Sequence, residues 1–353
     1  MSNRILHAIS SRLSLRPPQA ESLARLAQAL DAAPVMLKHE RDVAAILATL
    51  QTLFPTLTDF EREFPSLCFA LATGVGKTRL MGACIAYLHL AHGINNFFVL
   101  APNLTIYNKL IADFTPNTPK YVFKGIAEFA QQPPLVITGD NYDQSGATVD
   151  VLPRGFSQDV RINIFNIAKI NSEVRGGKEP RIKRMREVLG DSYFNHLANL
   201  PDLVLLMDES HRYRAQAGMR AINELKPLFG LELTATPFVE AGKAQVAFRN
   251  VIMDYPLARA MADGFVKEPA VATRDHFQAD VYSPEEIEQI KLEDGVRLHE
   301  TTKIELLTYA RENGGQAVHA GNCPRHHARG AAQGAAGIAA VFCRALCRQG
   351  DSG

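Results

Sequence analysis

The sequence predicts an α/β fold, a parallel sheet with helices on both faces. Three observations carry that expectation. Short apolar runs alternate along the chain with segments of helical periodicity, the pattern of strand–helix–strand units. One such unit, "SLCFALATGVGKTRLMGACIAYLHLAHG" over 66–93, joins its apolar run to its helix through a glycine loop. Two later apolar runs, "PDLVLLMDESH" and "LFGLELTATPF", each end in a polar cluster. Ligands of such sheets gather at the carboxyl ends of the strands, and all three polar stretches fall at one.

In chain order, "AESLARLAQALDAAP" and "ERDVAAILATLQTLF" place apolar residues three and four apart and read as helices. After the glycine-loop unit, "NNFFVLAPN" is a strand and "LTIYNKLIADF" a helix, with "PPLVITGD" and "RINIFNIAKIN" as further strands. The two runs over 201–211 and 228–238 complete the expected sheet. From Tyr255, "YPLARAMADGFVKEP" reads as a connector, and "SPEEIEQIKLEDGVRLHETTKIELLTYARENG" is helical and charged. Beyond Gly315 the chain is rich in Ala, Gly, Arg and Cys, has no Lys and carries a single acid, Asp351. The expected organisation is therefore 1–255 for the sheet with its N-terminal helices, 256–314 for connector and helix, and 315–353 for an aberrant, disordered or frameshifted tail.

Composition narrows the class. A chain of 353 residues has room for two or three domains, and 46% hydrophobic with 21% charged residues is usual for globular proteins. Lys+Arg 38 against Asp+Glu 37 leaves +1, so any basic surface must be local. No apolar run approaches the roughly 20 residues that span a bilayer, and "MSNRILHAISSRLSLRPPQ" lacks the apolar core of a signal peptide. Five cysteines, three of them in the tail, make no disulfide framework. A cytoplasmic globular protein is expected.

Gly76-Lys77-Thr78 close an eight-residue phosphate-loop pattern whose leading glycine is replaced by Leu71, with Gly74 as a second flexible point. Such a loop, here Thr73-Gly74-Val75-Gly76, turns backbone N–H groups toward phosphate oxygens, and the helix that follows adds its dipole. Lys77 then reaches the β- and γ-phosphates of ATP, and Thr78 ligates Mg²⁺. Downstream, Asp208 and Glu209 stand where a buried strand ends. An Asp there can hold the magnesium ion, and an adjacent Glu can orient or deprotonate the attacking water.

"DESH" after an apolar strand resembles motif II of the superfamily 2 DEAD/DEAH-box helicases, and "TAT", Thr234 to Thr236, resembles their motif III. "LRPPQ" is similar to the upstream glutamine motif and "APNLTI" to motif Ia, a loop that touches nucleic-acid phosphates. More narrowly, "LATGVGKT", "PDLVLLMDESHRYRA", "LELTATPF" and "YPLARAMADGFVKEPAV" together resemble the Res subunit of type III restriction enzymes. The resemblance covers roughly 10–315. It implies a RecA-like P-loop NTPase lobe and an ATP-dependent DNA helicase or translocase. It implies ATP contacts at Gln19, Gly74, Gly76, Lys77 and Thr78, with Gln19 on the adenine edge. It further implies Mg²⁺ and water activation at Asp208 and Glu209, and coupling of nucleotide to DNA through His211, Thr234 and Thr236. DNA, chiefly double-stranded, and a methyltransferase modification subunit are the implied partners. A stand-alone helicase acting on RNA or in repair, and a non-catalytic nucleotide-switch module, are the competing readings.

Two stretches stay outside that scheme. Six basic residues between Arg175 and Arg186 form either a track for a DNA backbone or a solvated helix face. Cys323, His326, His327, Cys343 and Cys347 lack the framing turns of a zinc knuckle and are not read as one. A superfamily 2 motor closes a second lobe over ATP with arginines of a "QxxGRxxR"-like motif, and such arginines contribute about 10³ to 10⁵ in rate. No such motif follows Thr236, and no "PD…ExK"-like nuclease cluster is present. The expectation is a remnant ending shortly after its first lobe, able to hold ATP·Mg²⁺ and turning it over poorly by itself.

Overall fold

The computed structural model describes residues 2–139, 141, 160–166, 193–214, 222–241, 244–266, 274 and 277–312. The basic stretch 175–186, the Cys/His set and the tail from 315 lie outside the described residues.

Two helices open the chain, α1 (Ser2–Arg12) and α2 (Pro17–Ala32). Two prolines begin α2, where a missing N–H removes no intrahelical bond and the fixed φ already suits the helix. Asp42 caps α3 (Val43–Gln51) by accepting from the Ala44 and Ala45 N–H groups.

The remaining strands and helices of the first unit follow in chain order. They run β1 (Ser66–Leu71), α4 (Lys77–His92), β2 (Asn96–Ala101), α5 (Leu104–Phe114), α6 (Ala127–Gln131), β3 (Leu135–Thr138), β4 (Arg161–Asn166), β5 (Leu203–Asp208), β6 (Phe229–Thr234), β7 (Phe238–Ala241), β8 (Ala244–Ala247) and β9 (Val251–Tyr255). Seven strands form one parallel sheet in the order β3-β4-β2-β5-β6-β1-β9. The fold is thus the RecA-like α/β class. β1, β2, β5 and β6 are buried along their whole length. Burial on both faces is why these strands appear in the sequence as continuous apolar runs rather than alternating ones. Helix α4 is likewise buried at every position from Leu80 to Leu88, packed against α1, α2 and α5. Phe98, Leu100, Phe165, Leu205, Met207 and the helical residues Tyr193, Phe194 and Leu197 form an apolar cluster.

Two features exceed the sequence reading. β7 and β8 pair as an antiparallel hairpin just after the "TAT" stretch, and β9 adds a seventh strand beside β1. The first compact unit runs Met1–Ala260, five residues beyond the boundary expected at 255. The second unit, Met261–Gly353, contains a helix over Pro284–Glu312. Ser283 and Glu286 start it with reciprocal side-chain-to-backbone bonds, the capping box. Arg274 holds Asp294 with two hydrogen bonds. Among the described residues, no helix is long and apolar enough to cross a membrane.

Candidate functional site

Strand order decides where the polar clusters meet. β6 lies between β1 and β5, with Ala70 opposite Thr234 and Leu233 opposite Asp208. The glycine loop after β1, the Asp-Glu pair after β5 and the threonines after β6 therefore emerge side by side at one sheet edge.

The loop is held open by geometry that its glycines permit. Gly74 has φ +83° and Gly76 φ +101°, conformations that carry a steric cost for residues with a Cβ. Val75 between them is fully buried, while Thr73 and Gly74 face solvent. Lys77 is the first residue of α4, so the loop ends at a helix N-terminus. Three side chains tie this unit to the N-terminal helices. Arg16 donates to the Gly74 carbonyl (2.9 Å), Arg79 donates to the Leu13 carbonyl (2.7 Å), and Gln19 Nε2 donates to the carbonyls of Val75 (3.1 Å) and Gly76 (2.9 Å). The Gln19 Oε1 accepts from the Arg16 N–H at 2.8 Å, which fixes the amide orientation. Both Nε2 protons are thus engaged within the protein, and a base edge could meet Gln19 only at the second lone pair of Oε1. Beside the loop lies a cavity of about 250 Å³, lined by its glycines together with Ser14, Arg16, Gln19 and Arg79.

Lys77 Nζ lies 3.1 Å from Glu209 Oε1. Glu209 reaches it from a left-handed backbone conformation, φ +52° and ψ +54°, unusual for a residue with a side chain and of a kind found where a site demands it. Asp208 is nearly buried, and its Oδ1 has no hydrogen-bond partner. Burial pushes its carboxyl up to about 6, Glu209 adds to the rise, and Lys77 and Lys109 pull the other way. Lys109 on α5 was not singled out in the sequence; its Nζ donates to Thr78 Oγ1 and to Asp113 Oδ2, each at 2.8 Å.

His211 meets the threonines of β6. Its Nδ1 is 3.1 Å from Thr234 Oγ1 and 3.2 Å from Thr236 Oγ1. Thr234 gives its hydroxyl proton to the Thr236 carbonyl and accepts from the Thr236 N–H, both at 3.1 Å. That leaves Nδ1–H of His211 as the donor to Thr234. Burial lowers the His211 pKa, against the pull of Glu209.

A buried network behind this edge was not anticipated either. Glu232, in the middle of β6, has a fully buried side chain that accepts from Arg62 Nε (2.8 Å), Ser66 Oγ (2.7 Å), Asn250 Nδ2 (3.1 Å) and an Arg214 guanidinium nitrogen (2.8 Å). Arg214 follows "DESHRY", also pairs with Glu61, and lies over the Phe248 ring at 3.6 Å. Glu232 thereby fastens the segment after Asp208 to the strand that carries Thr234. An acid inside an otherwise apolar run was the available signal.

Asp208 and Thr78 supply hard oxygen donors, and the buried Asp208 Oδ1 is an acceptor with no hydrogen-bond partner. That donor set fits Mg²⁺, which takes one or two protein oxygens and completes its shell with phosphate and water.

A family model described as "Type III restriction enzyme, res subunit" matches residues 12–239. Among solved structures the chain is similar to the Sulfolobus solfataricus SWI2/SNF2 ATPase core in complex with dsDNA, at 14% identity, 63% coverage of this chain, 32% of that one and a TM-score of 0.32. It is also similar to a nuclease-deletion mutant of the Type ISP restriction-modification enzyme LlaGI in complex with a DNA substrate mimic, at 12% identity, 71% and 21% coverage and a TM-score of 0.36. The chain spans about a third and a fifth of the length of those two proteins. No curated protein matches it.

Proposed function

Because the chain belongs to the family of the type III restriction enzyme Res subunit, we propose that it is the ATP- and DNA-binding lobe of an ATP-dependent DNA helicase or translocase of that kind, hydrolysing ATP with Mg²⁺ when complete. The observation that supports this reading is the meeting of Lys77, Asp208 and Glu209 at one sheet edge, with His211, Thr234 and Thr236 beside them.

The chemistry follows from those groups. The backbone N–H groups of Gly74 and Gly76 cradle the β- and γ-phosphates at the start of α4. Lys77 leaves Glu209 for the phosphate oxygens, and Glu209 is then free to hold a water and take its proton. That water attacks the γ-phosphorus while the bond to ADP breaks. Thr78 and Asp208 would hold Mg²⁺, which neutralises the charge building on the phosphates. His211, within hydrogen-bond distance of Thr234 and Thr236, links the catalytic pair to the end of β6. On the same reading 1–255 is the first lobe and 256–314 leads to a second, and a methyltransferase modification subunit is the partner protein.

The test uses the full chain with a fluorescent ATP analogue and single-turnover phosphate release, with and without duplex DNA. Lys77→Ala should weaken nucleotide binding more than about tenfold. Glu209→Gln should keep binding and lose DNA-stimulated release. Release that survives Glu209→Gln refutes the role given to Glu209, and nucleotide binding that survives Lys77→Ala refutes the phosphate site.

A further inference from the structure

Resting on that reading, we infer that Lys109 is a positioning residue: its ammonium keeps the cation place at Thr78 and yields it when Mg²⁺ arrives with nucleotide, releasing α5 from the phosphate loop. The carrying observation is a contact that neither the phosphate loop nor the fold requires. Lys109 stands on the second turn of α5 and makes an ion pair one turn on, with the buried Asp113, at 2.8 Å. Such an i,i+4 pair is complete on the helix surface by itself. Instead the ammonium also reaches Thr78 Oγ1, 31 residues away in sequence, at 2.8 Å.

That hydroxyl is the atom assigned to the metal. A Mg²⁺ at about 2.1 Å from that oxygen, with the ammonium donating to its other lone pair, would bring the two positive charges within about 4 Å, and their repulsion disfavours joint occupancy. Two lysines therefore meet the loop, with opposite fates. Lys77 moves from Glu209 onto phosphate and remains in the site, whereas Lys109, already paired with Asp113, withdraws on this inference. Its side chain is about half exposed, at 53%, so the contact is weak enough to be displaced.

The consequence lies at the other end of the helix. α5 begins at Leu104, capped by Asn103, directly after the "APN" turn that ends β2. The Lys109–Thr78 bond is thus a tether between the first turn of α4 and the helix behind that turn. When Lys109 withdraws, its pair with Asp113 stays within α5, and the tether is gone. Arrival of the metal is thereby communicated to the 101–104 turn without any larger rearrangement.

Two measurements on the full chain test this. The first is binding of a fluorescent ATP analogue titrated with Mg²⁺ from an EDTA-treated start, for wild type and Lys109→Met. Removing the competing cation should lower the half-saturating Mg²⁺ concentration by about three- to tenfold. The second is hydrogen exchange over 104–114 in wild type, with nucleotide in EDTA and then with Mg²⁺; exchange there should rise several-fold only when Mg²⁺ is added. It needs no variant and so stands even if Lys109→Met fails to fold. An unchanged or higher Mg²⁺ requirement in Lys109→Met, or exchange in α5 indifferent to Mg²⁺, overturns the inference while leaving nucleotide binding intact. A wild-type chain that binds no nucleotide at any Mg²⁺ concentration refutes the parent reading as well.

Discussion

Replacing Glu232 by Gln should destabilise the protein by about 3 to 5 kcal/mol at pH 7, the loss that follows when one partner of a buried ion pair is removed. Glutamine has the same size, so no cavity forms. What changes is charge and donor count. The carboxylate now accepts from Arg62, Ser66, Asn250 and Arg214 with no exposed surface. An amide turns one acceptor into a donor facing guanidinium protons, and leaves two buried cations with only Glu61 nearby. The pH dependence identifies the cause. Burial alone would raise the Glu232 carboxyl above its usual 4.5, but Arg62 and Arg214 overturn that and hold it at about 2. A depressed carboxyl contributes stability that is fully present above 4.5 and is lost as pH falls through 2. A shift of that size corresponds to about 3 kcal/mol. Urea unfolding followed by circular dichroism should therefore give a wild-type-to-variant gap that is constant from pH 8 to 5 and narrows steadily toward pH 2. A loss below about 1 kcal/mol at pH 7, or a gap that persists undiminished at pH 2.5, would refute the reasoning.

Three further substitutions probe the site. Gly76→Ala places a Cβ 2.5 Å from Gln19 Nε2 at φ +101°; it should cost about 1 to 2 kcal/mol and weaken nucleotide binding, and unaltered binding would show that the Gln19 brace is dispensable. Gln19→Ala frees the carbonyls of Val75 and Gly76 and should cost about 1 to 3 kcal/mol. If Oε1 also meets the adenine, the same variant brings the ATP and GTP dissociation constants together, whereas a preserved ATP preference limits Gln19 to bracing. Asp208→Asn removes a buried carboxylate whose Oδ1 has no partner. In EDTA at pH 8 it should raise stability by up to about 3 kcal/mol while abolishing the Mg²⁺ dependence of nucleotide binding, and a fall in stability would contradict the account of that oxygen.

Much of this was legible in the sequence because the signals are local. The run 66–78 contains its own strand, two left-handed glycine positions and a helix start within thirteen residues. β5 and β6 announce themselves as apolar runs because both faces of a parallel sheet are covered. β9 and the β7–β8 hairpin were harder to read. Their strands are four or five residues long, too short to establish a period of two in the sequence.

By itself the sequence determined the class of fold and singled out Gly76-Lys77-Thr78, Asp208-Glu209 and Thr234 to Thr236 as the candidate site, since each cluster is written in adjacent positions. Only the tertiary structure decided which distant side chains act on them. Gln19 braces a loop 56 residues away, Lys109 holds a hydroxyl 31 residues back, and Arg62 lies 170 residues from the carboxylate it neutralises. Such partners are selected by strand order and helix packing. Placing β6 between β1 and β5 brings Asp208 and Thr234 to one edge and buries Glu232 where it must find cations. No local window of sequence carries that order, because it arises from burying several elements against one another at once.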